Sequence, residues 1–580
     1  MAPPRMAVST IVRFAALAVC ALVLSACGGG GGGSSSSGSP GGGPVTPPTP
    51  PTPPPPPIGK TDAFRFLAQA TYGPTEAEVQ RLIALGDSTT GYAKWIDEQL
   101  QQSASVQLPT IQTAYAGLTN PAQMIGSLNT DRQEMWFRNS ITGPDQLRQR
   151  VAFALSEIMV VSQQSTLQNM PHALADYYDM LARDAFGDFR KLIEDVTLHP
   201  AMGVYLNMLG NQKPDTAKNI RPDENYAREL MQLCTVGLVE LNADGTVKKD
   251  AQGQPVPTYD QSVIEGFANV FTGWNYAGAA TFAQARRTLA NQVLPMQAYP
   301  EQHSPLAKKL LQYPGATKAT LPAGQTPQQD LADALDNIVN HPNVGPFIAK
   351  QLIQKLVTSN PSPQYVARVT AVFNNDGSGK RGNLGAVVKA ILLDAEARAA
   401  TPGATSGKVK EPLLRLTQMW RAYGAKAANG QYRVGNINAA FGQGPLQSPS
   451  VFNFFSPFYA PPGEISDQGL VAPEMQIATE YLNTTSGNTF YNLIFAWNST
   501  ATNPAATSVL LDYSAEVPLA GDSEALVNKI ADKMLGGQIS ATLKAEAKAA
   551  VERTAATNPG QRVSEALYLV ATSPEYVVQR

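Results

Sequence analysis

The sequence predicts a mainly α-helical protein, a large irregular helical body with small β-hairpin excursions. Two observations carry this. Apolar residues recur at three- and four-residue spacing through most of the chain after Thr61, and capping or stopping residues bracket those stretches. Strand-like character with turn chemistry is confined to Gly237–Lys248, where Asp244-Gly245 sits between two short β-prone arms. The chain has 580 residues, 43% hydrophobic and 16% charged, ample for a large core. Length alone suggests about two to four domains. A formal net charge of -2 gives no electrostatic case for nucleic acid as a partner.

The N-terminus reads as an address. Arg5 and Arg13 precede a short apolar run, Phe14 to Leu24, too short for a membrane span and suited to a signal peptide. Leu24-Ser25-Ala26-Cys27 resembles a bacterial lipobox, which implies cleavage after residue 26 and lipidation of Cys27, so that the chain meets the membrane through that cysteine. Gly28 rather than aspartate follows, and by resemblance to lipoproteins of double-membraned bacteria this implies outer-membrane sorting, on either face. Residues 27–57 then form a tether, Gly/Ser-rich at first and Pro-rich later, a flexible coil leading into a stiffer spacer. The body occupies 58–580, as one unit or two subdomains. Cys234 is the one cysteine left in it, so no disulfide framework is available.

Helices follow in order. Asp62–Ala70 comes first, and Thr75-Glu76-Ala77-Glu78 is a capping box for the next. Pro144-Asp145 opens a third, with Leu147, Val151, Leu155 and Ile158 on one face. Asp188–His199 and Asp260–Phe271 carry equally clear stripes. Further helices fit 330–340, 344–357, 364–373, 384–393, 412–423, 524–535 and 563–571. Ile193–Pro200 and Leu335–Pro342 both end in His-Pro, with looser copies at 388–396 and 567–575; uneven spacing excludes a solenoid and leaves repeated helix-stop chemistry.

The most distinctive stretch is Pro222 to Thr235. Read as a regular helix capped by Asp223, it sets Tyr226, Leu230 and Leu233 on one stripe, with Asn225, Glu229 and Gln232 along its flank. Glu224 and Arg228 fall opposite, as a solvent-side ion pair. Glu229, beside the stripe, is the carboxylate expected in a special environment.

Several segments together resemble the DUF1800 family: Phe66–Pro74, His199-Pro200-Ala201-Met202, Asn225–Met231, Phe271-Thr272-Gly273-Trp274, Pro449–Phe455 and Ala566–Tyr576. The resemblance spans the body. It implies a secreted or envelope-attached helical protein, often encoded beside a DUF1501 protein, which makes a DUF1501-type partner a candidate by association. Relatives often have histidine where this chain has Cys234, so no metal site is built on that position.

Specific chemistry is sparse. His172, His199, His303 and His341 are scattered without metal-ligand spacing, and His199, ahead of a proline, is read as a cation at a helix C-terminus. Gly403–Lys408 departs from the phosphate-loop pattern, and the turns at 242–245 and 374–383 do not complete a calcium loop. No metal or cofactor is expected. Two readings remain. In the first, the chain is a binding or assembly factor, with Phe452, Phe454, Phe455, Phe458 and Tyr459 presenting an aromatic surface to a partner. In the alternative, it is a hydrolase of an extracellular polysaccharide or ester, with Glu229 and Asn225 as acid/base machinery and Asp195, Asp223 or Asp260 as second carboxylate. A structural pairing of Glu229 with Arg148 or Arg150 competes with that role.

Overall fold

Helix-start chemistry works where the sequence placed it. In the computed structural model, which describes residues 55–500 and 505–580, the Glu78 N–H donates to Thr75 and the Thr75 N–H donates back to Glu78. That completes the capping box on the Glu76–Ala84 helix. Asp188 and Asp260 likewise cap Phe189–Leu198 and Gln261–Val270. Cys27 and the tether through residue 54 lie outside the described residues.

The protein is mainly α-helical. The predicted hairpin forms: the Asn242 N–H donates to Thr246 O and the Lys248 N–H to Glu240 O, both at 2.8 Å. Asp244 pins the turn by accepting from the Thr246 N–H, and Gly245 supplies the positive φ of 76°. A third arm then returns, with the Glu240 N–H bonded to Val256 O at 2.8 Å. Other strand pairing is limited to short antiparallel pairs, of which Lys408–Val409 with Val578–Gln579 matters most, since it ties the C-terminus beside the site.

Several helices show no stripe in the sequence. Pro171–Asp184 is buried on nearly every side, so no polar face marks its period. Glu480–Thr500 is rich in Thr, Asn and Ser, poor helix formers that here bond back to their own helix, as Thr484 and Thr489 do to Glu480 O and Thr485 O.

The 222–235 stretch departs from a regular helix. A short α-helix, Asn225–Glu229, passes into a π-helical segment, Leu230–Thr235, with Thr235 Oγ1 donating to Leu230 O and the Val236 N–H to Met231 O. Asp223 accepts from the Asn225 N–H at 2.8 Å. The Glu224–Arg228 pair forms on the outer side at 2.9 Å.

The His-Pro stops have a different cause from the one expected. His199 does not serve as a cation at a helix end. Its Nδ1 accepts the Ala201 N–H at 3.1 Å and caps the following Pro200–Tyr205 helix. His341 Nδ1 accepts the Asn343 N–H in the same way. Ser573 caps Pro574–Val577 through Tyr576, so each stop residue also starts the next turn.

The core runs through the body around Trp95, Trp136 and Trp420, all fully buried. Trp136 Nε1 donates to Tyr178 OH at 2.8 Å and Tyr72 OH donates to Gln149 O at 3.0 Å, so the large rings bury without orphaning those groups.

Candidate functional site

A cleft of about 470 Å³ opens between four parts of the chain. One wall is the 238–247 hairpin, with Leu238, Val239, Leu241 and Val247. The π-helical segment contributes Gln232 and Leu233, and the Val344–Leu356 helix contributes Phe347, Lys350, Gln351, Gln354 and Lys355. The aromatic loop closes it with Phe452, Phe455 and Phe458. Phe452 and Phe458 stand 58% and 64% exposed at the rim, while Phe455 is buried under the Lys355 ammonium, 4.0 Å from the ring centre. Phe454 is buried elsewhere, and Tyr459 is not part of the lining. The loop is therefore divided between rim, floor and core.

The loop's path needs unusual backbone. Leu446 and Asn453 adopt φ of 53° and 65°. Asparagine tolerates this region, whereas a leucine there is strained and must be held by its surroundings. The Gln163 N–H bonded to Leu446 O at 2.8 Å is one such tie.

Beneath the apolar walls lies a buried charge cluster. Glu157, just past the end of the Gln146–Ser156 helix, lines the cleft and meets the Lys355 ammonium at 2.8 Å. Gln443 Nε2 donates to both Glu157 (3.1 Å) and Glu411 (2.6 Å), bridging the two carboxyls. Lys408 extends the chain of charges to Glu474 at 2.9 Å and approaches Glu411 at 3.6 Å. Arg150 donates to Lys355 O from the same interior. Three carboxylates thus face three cations where no water separates them.

Burial, then repulsion from Glu411, pushes Glu157 up to about 8, against the pull of Lys355. Burial also pushes Glu411 upward, but Lys355 and Lys408 together overcome it and hold that carboxyl below its ordinary value. One member of the pair therefore stays protonated in neutral water while the other is an anion. Polar atoms around the cleft are left without partners: Gln351 Nε2, Gln354 Oε1 and Asn453 Nδ2. Lys350 makes no ion pair among the described residues, and burial lowers its pKa.

Residues 65–578 match the family described as "Protein of unknown function (DUF1800)". The chain belongs to the DUF1800 family. No curated protein and no solved structure matches it.

The residues that carry the DUF1800 resemblance fall on both sides of this site. Pro449–Phe455 enters the cleft itself, whereas Asn225–Met231 runs behind it. Glu229 is buried, lies outside the cleft lining, and has no partner for Oε2. Burial raises its pKa, with Arg228 pulling the other way. The arginine pairing expected for it is absent. Arg148 donates to backbone carbonyls of Gln102 and Ala182, and Arg150 to that of Lys355. Asn225, half-buried, precedes Glu229 by one turn. Asp195 pairs with Lys191, Asp260 with Lys309, and Asp223 accepts from Asn207 Nδ2, so none of the three is held beside Glu229. Cys234 is buried, donates to Ile158 O, and is pushed up to about 12 by burial and then by Glu229. Among the described residues no group of His, Cys, Asp or Glu is arranged to hold a metal.

Glu157, Lys355, Lys408, Glu411 and Glu474 were not singled out from the sequence. A signal exists: each is a charge set in an apolar neighbourhood, as Glu157 is in Ala154-Leu155-Ser156-Glu157-Ile158-Met159-Val160.

Proposed function

We propose that this chain is a lipid-anchored binding factor of the bacterial envelope whose cleft receives an apolar segment presented by an envelope partner. The supporting observation is the rim. Leu238, Val247, Phe452 and Phe458 are large hydrophobic side chains left exposed, and all four border this opening. Concave apolar surface ringed by such side chains is what an interaction site offers. A DUF1501-type protein is the first partner to test. The anchor rests on Cys27 in its lipobox, with Gly28 favouring the outer membrane and the tether holding the body off the bilayer.

The test is a photo-reactive residue at position 452 of the full chain in cells. A discrete adduct with an envelope protein, lost on Phe458→Ser, is expected. An equal adduct yield in Phe458→Ser, or no adduct at all, overturns the reading.

A second reading has its own observation. Glu157 reaches the cleft as a carboxyl protonated near neutrality, which is what a general acid requires. A hydrolase of polysaccharide or ester would use it, or Glu229 with Asn225, as acid/base. Turnover abolished by Glu157→Gln or Glu229→Gln in a folded protein would displace the binding reading.

A further inference from the structure

A smaller cavity of about 200 Å³ lies at the other end of the charge cluster, with Lys410, Arg415, Glu474, Asn483 and Ser486 in its wall. Its cations are unlike those beneath the cleft. Lys410 is buried, with its ammonium over the Tyr576 ring at 3.9 Å and one acceptor, Gln418 Oε1, at 2.9 Å. The Arg415 guanidinium stacks 5.0 Å from the Phe490 ring and donates to nothing among the described residues; its Nε is buried without a partner. No carboxylate answers either charge. Burial and then the neighbouring Arg415 push Lys410 down, and burial lowers Arg415, with only Tyr576 offsetting it. Glu474, the carboxylate in the wall, is already held by Lys408 at 2.9 Å.

Two cations in the interior without counter-charge are costly, because each loses its hydration and gains no anion. A guanidinium with every N–H unspent presents a fork that fits two oxygens of one oxyanion. Ser486 and Asn483 donate to backbone carbonyls at 3.2 and 3.3 Å, long contacts from which they can turn toward a ligand. We propose that Lys410 and Arg415 hold a tetrahedral dianion in this cavity, a phosphate or the phosphoryl group of a monoester. Two uncompensated positive charges match the two negative charges of that group. The site is separate from the apolar cleft, and its existence does not depend on the binding role proposed there.

The test is calorimetric and thermal titration of the full chain, in detergent and phosphate-free buffer, with inorganic phosphate, glycerol phosphate and acetate at matched ionic strength. A saturable rise in Tm with phosphate or glycerol phosphate is expected, with acetate inert. Tighter binding of glycerol phosphate identifies an esterified headgroup as the source, and tighter binding of inorganic phosphate identifies the free anion. Arg415→Gln should weaken binding by about tenfold or more, while in phosphate-free buffer it melts no lower than the wild type, since it removes an unpaired buried charge. Arg415→Lys, which keeps the charge and loses the fork, should bind with intermediate affinity. No saturable response, an equal response to acetate, or an undiminished response in Arg415→Gln overturns the proposal, as does an adventitious ion only, seen as the same weak shift in all three proteins.

Discussion

Glu229 and Lys408 show how differently one buried charge can be treated. Glu229 has no partner for Oε2, so its ionised form is a burden on the fold. Its raised pKa means wild-type stability falls, relative to a neutral variant, as pH rises above the ordinary carboxylate value of 4.5. Glu229→Gln should therefore be at least as stable as wild type at pH 8, by about 1 kcal/mol, in urea denaturation; a loss would reveal a partner. Lys408 is the opposite case, meeting Glu474 and Glu411 in a dry interior. Lys408→Met should cost about 3–5 kcal/mol, because it leaves carboxylates uncompensated, and adding Glu474→Gln should restore part of it. Glu157 adds a pH signature. Its folded value, up to about 8, exceeds the ordinary 4.5, so its contribution is full below 4.5 and is lost as pH rises toward 8. Glu157→Gln should flatten the stability profile over that window, measured as the urea midpoint against pH.

At the scale of elements, the histidines at helix stops act through a lone pair. His341 Nδ1 accepts a backbone N–H, and burial, followed by Lys248 and Arg381, holds its pKa down to about 4. The folded value lies below the ordinary 6.5, so its contribution is present above pH 6.5 and is lost as pH falls toward 4. His341→Asn should keep the cap, while His341→Ala loses about 1 kcal/mol, read from thermal or urea unfolding at pH 7.5. The π-helical segment has a consequence for the site. With bonds reaching one residue further back than in an α-helix, the 100° wheel no longer applies past Glu229. Asn225, Glu229 and Gln232 do not share a flank; Gln232 and Leu233 reach the cleft and Glu229 does not.

Across the whole molecule, the cleft is an assembly of segments distant in sequence: the hairpin near 240, the helix at 344–356 and the loop at 451–458. Phe452 and Phe458 are exposed, so replacing both with serine should leave the unfolding free energy within about 0.5 kcal/mol while abolishing partner capture. The sequence by itself determined the helical class, the capping boxes at Thr75 and Thr326, the hairpin turn at Asp244-Gly245 and the family. These depend on residues within a turn or two of each other, or on motifs legible along the chain. It also drew attention to the aromatic loop. It did not reveal the charge cluster, because Glu157, Lys355, Lys408, Glu411 and Glu474 gain their meaning only from each other, across more than three hundred positions. Tertiary structure decided that Lys355 is neutralised by Glu157 whereas Arg415 is left unanswered. A charge looks the same in sequence whether water, a carboxylate or nothing faces it, and only packing chooses among the three.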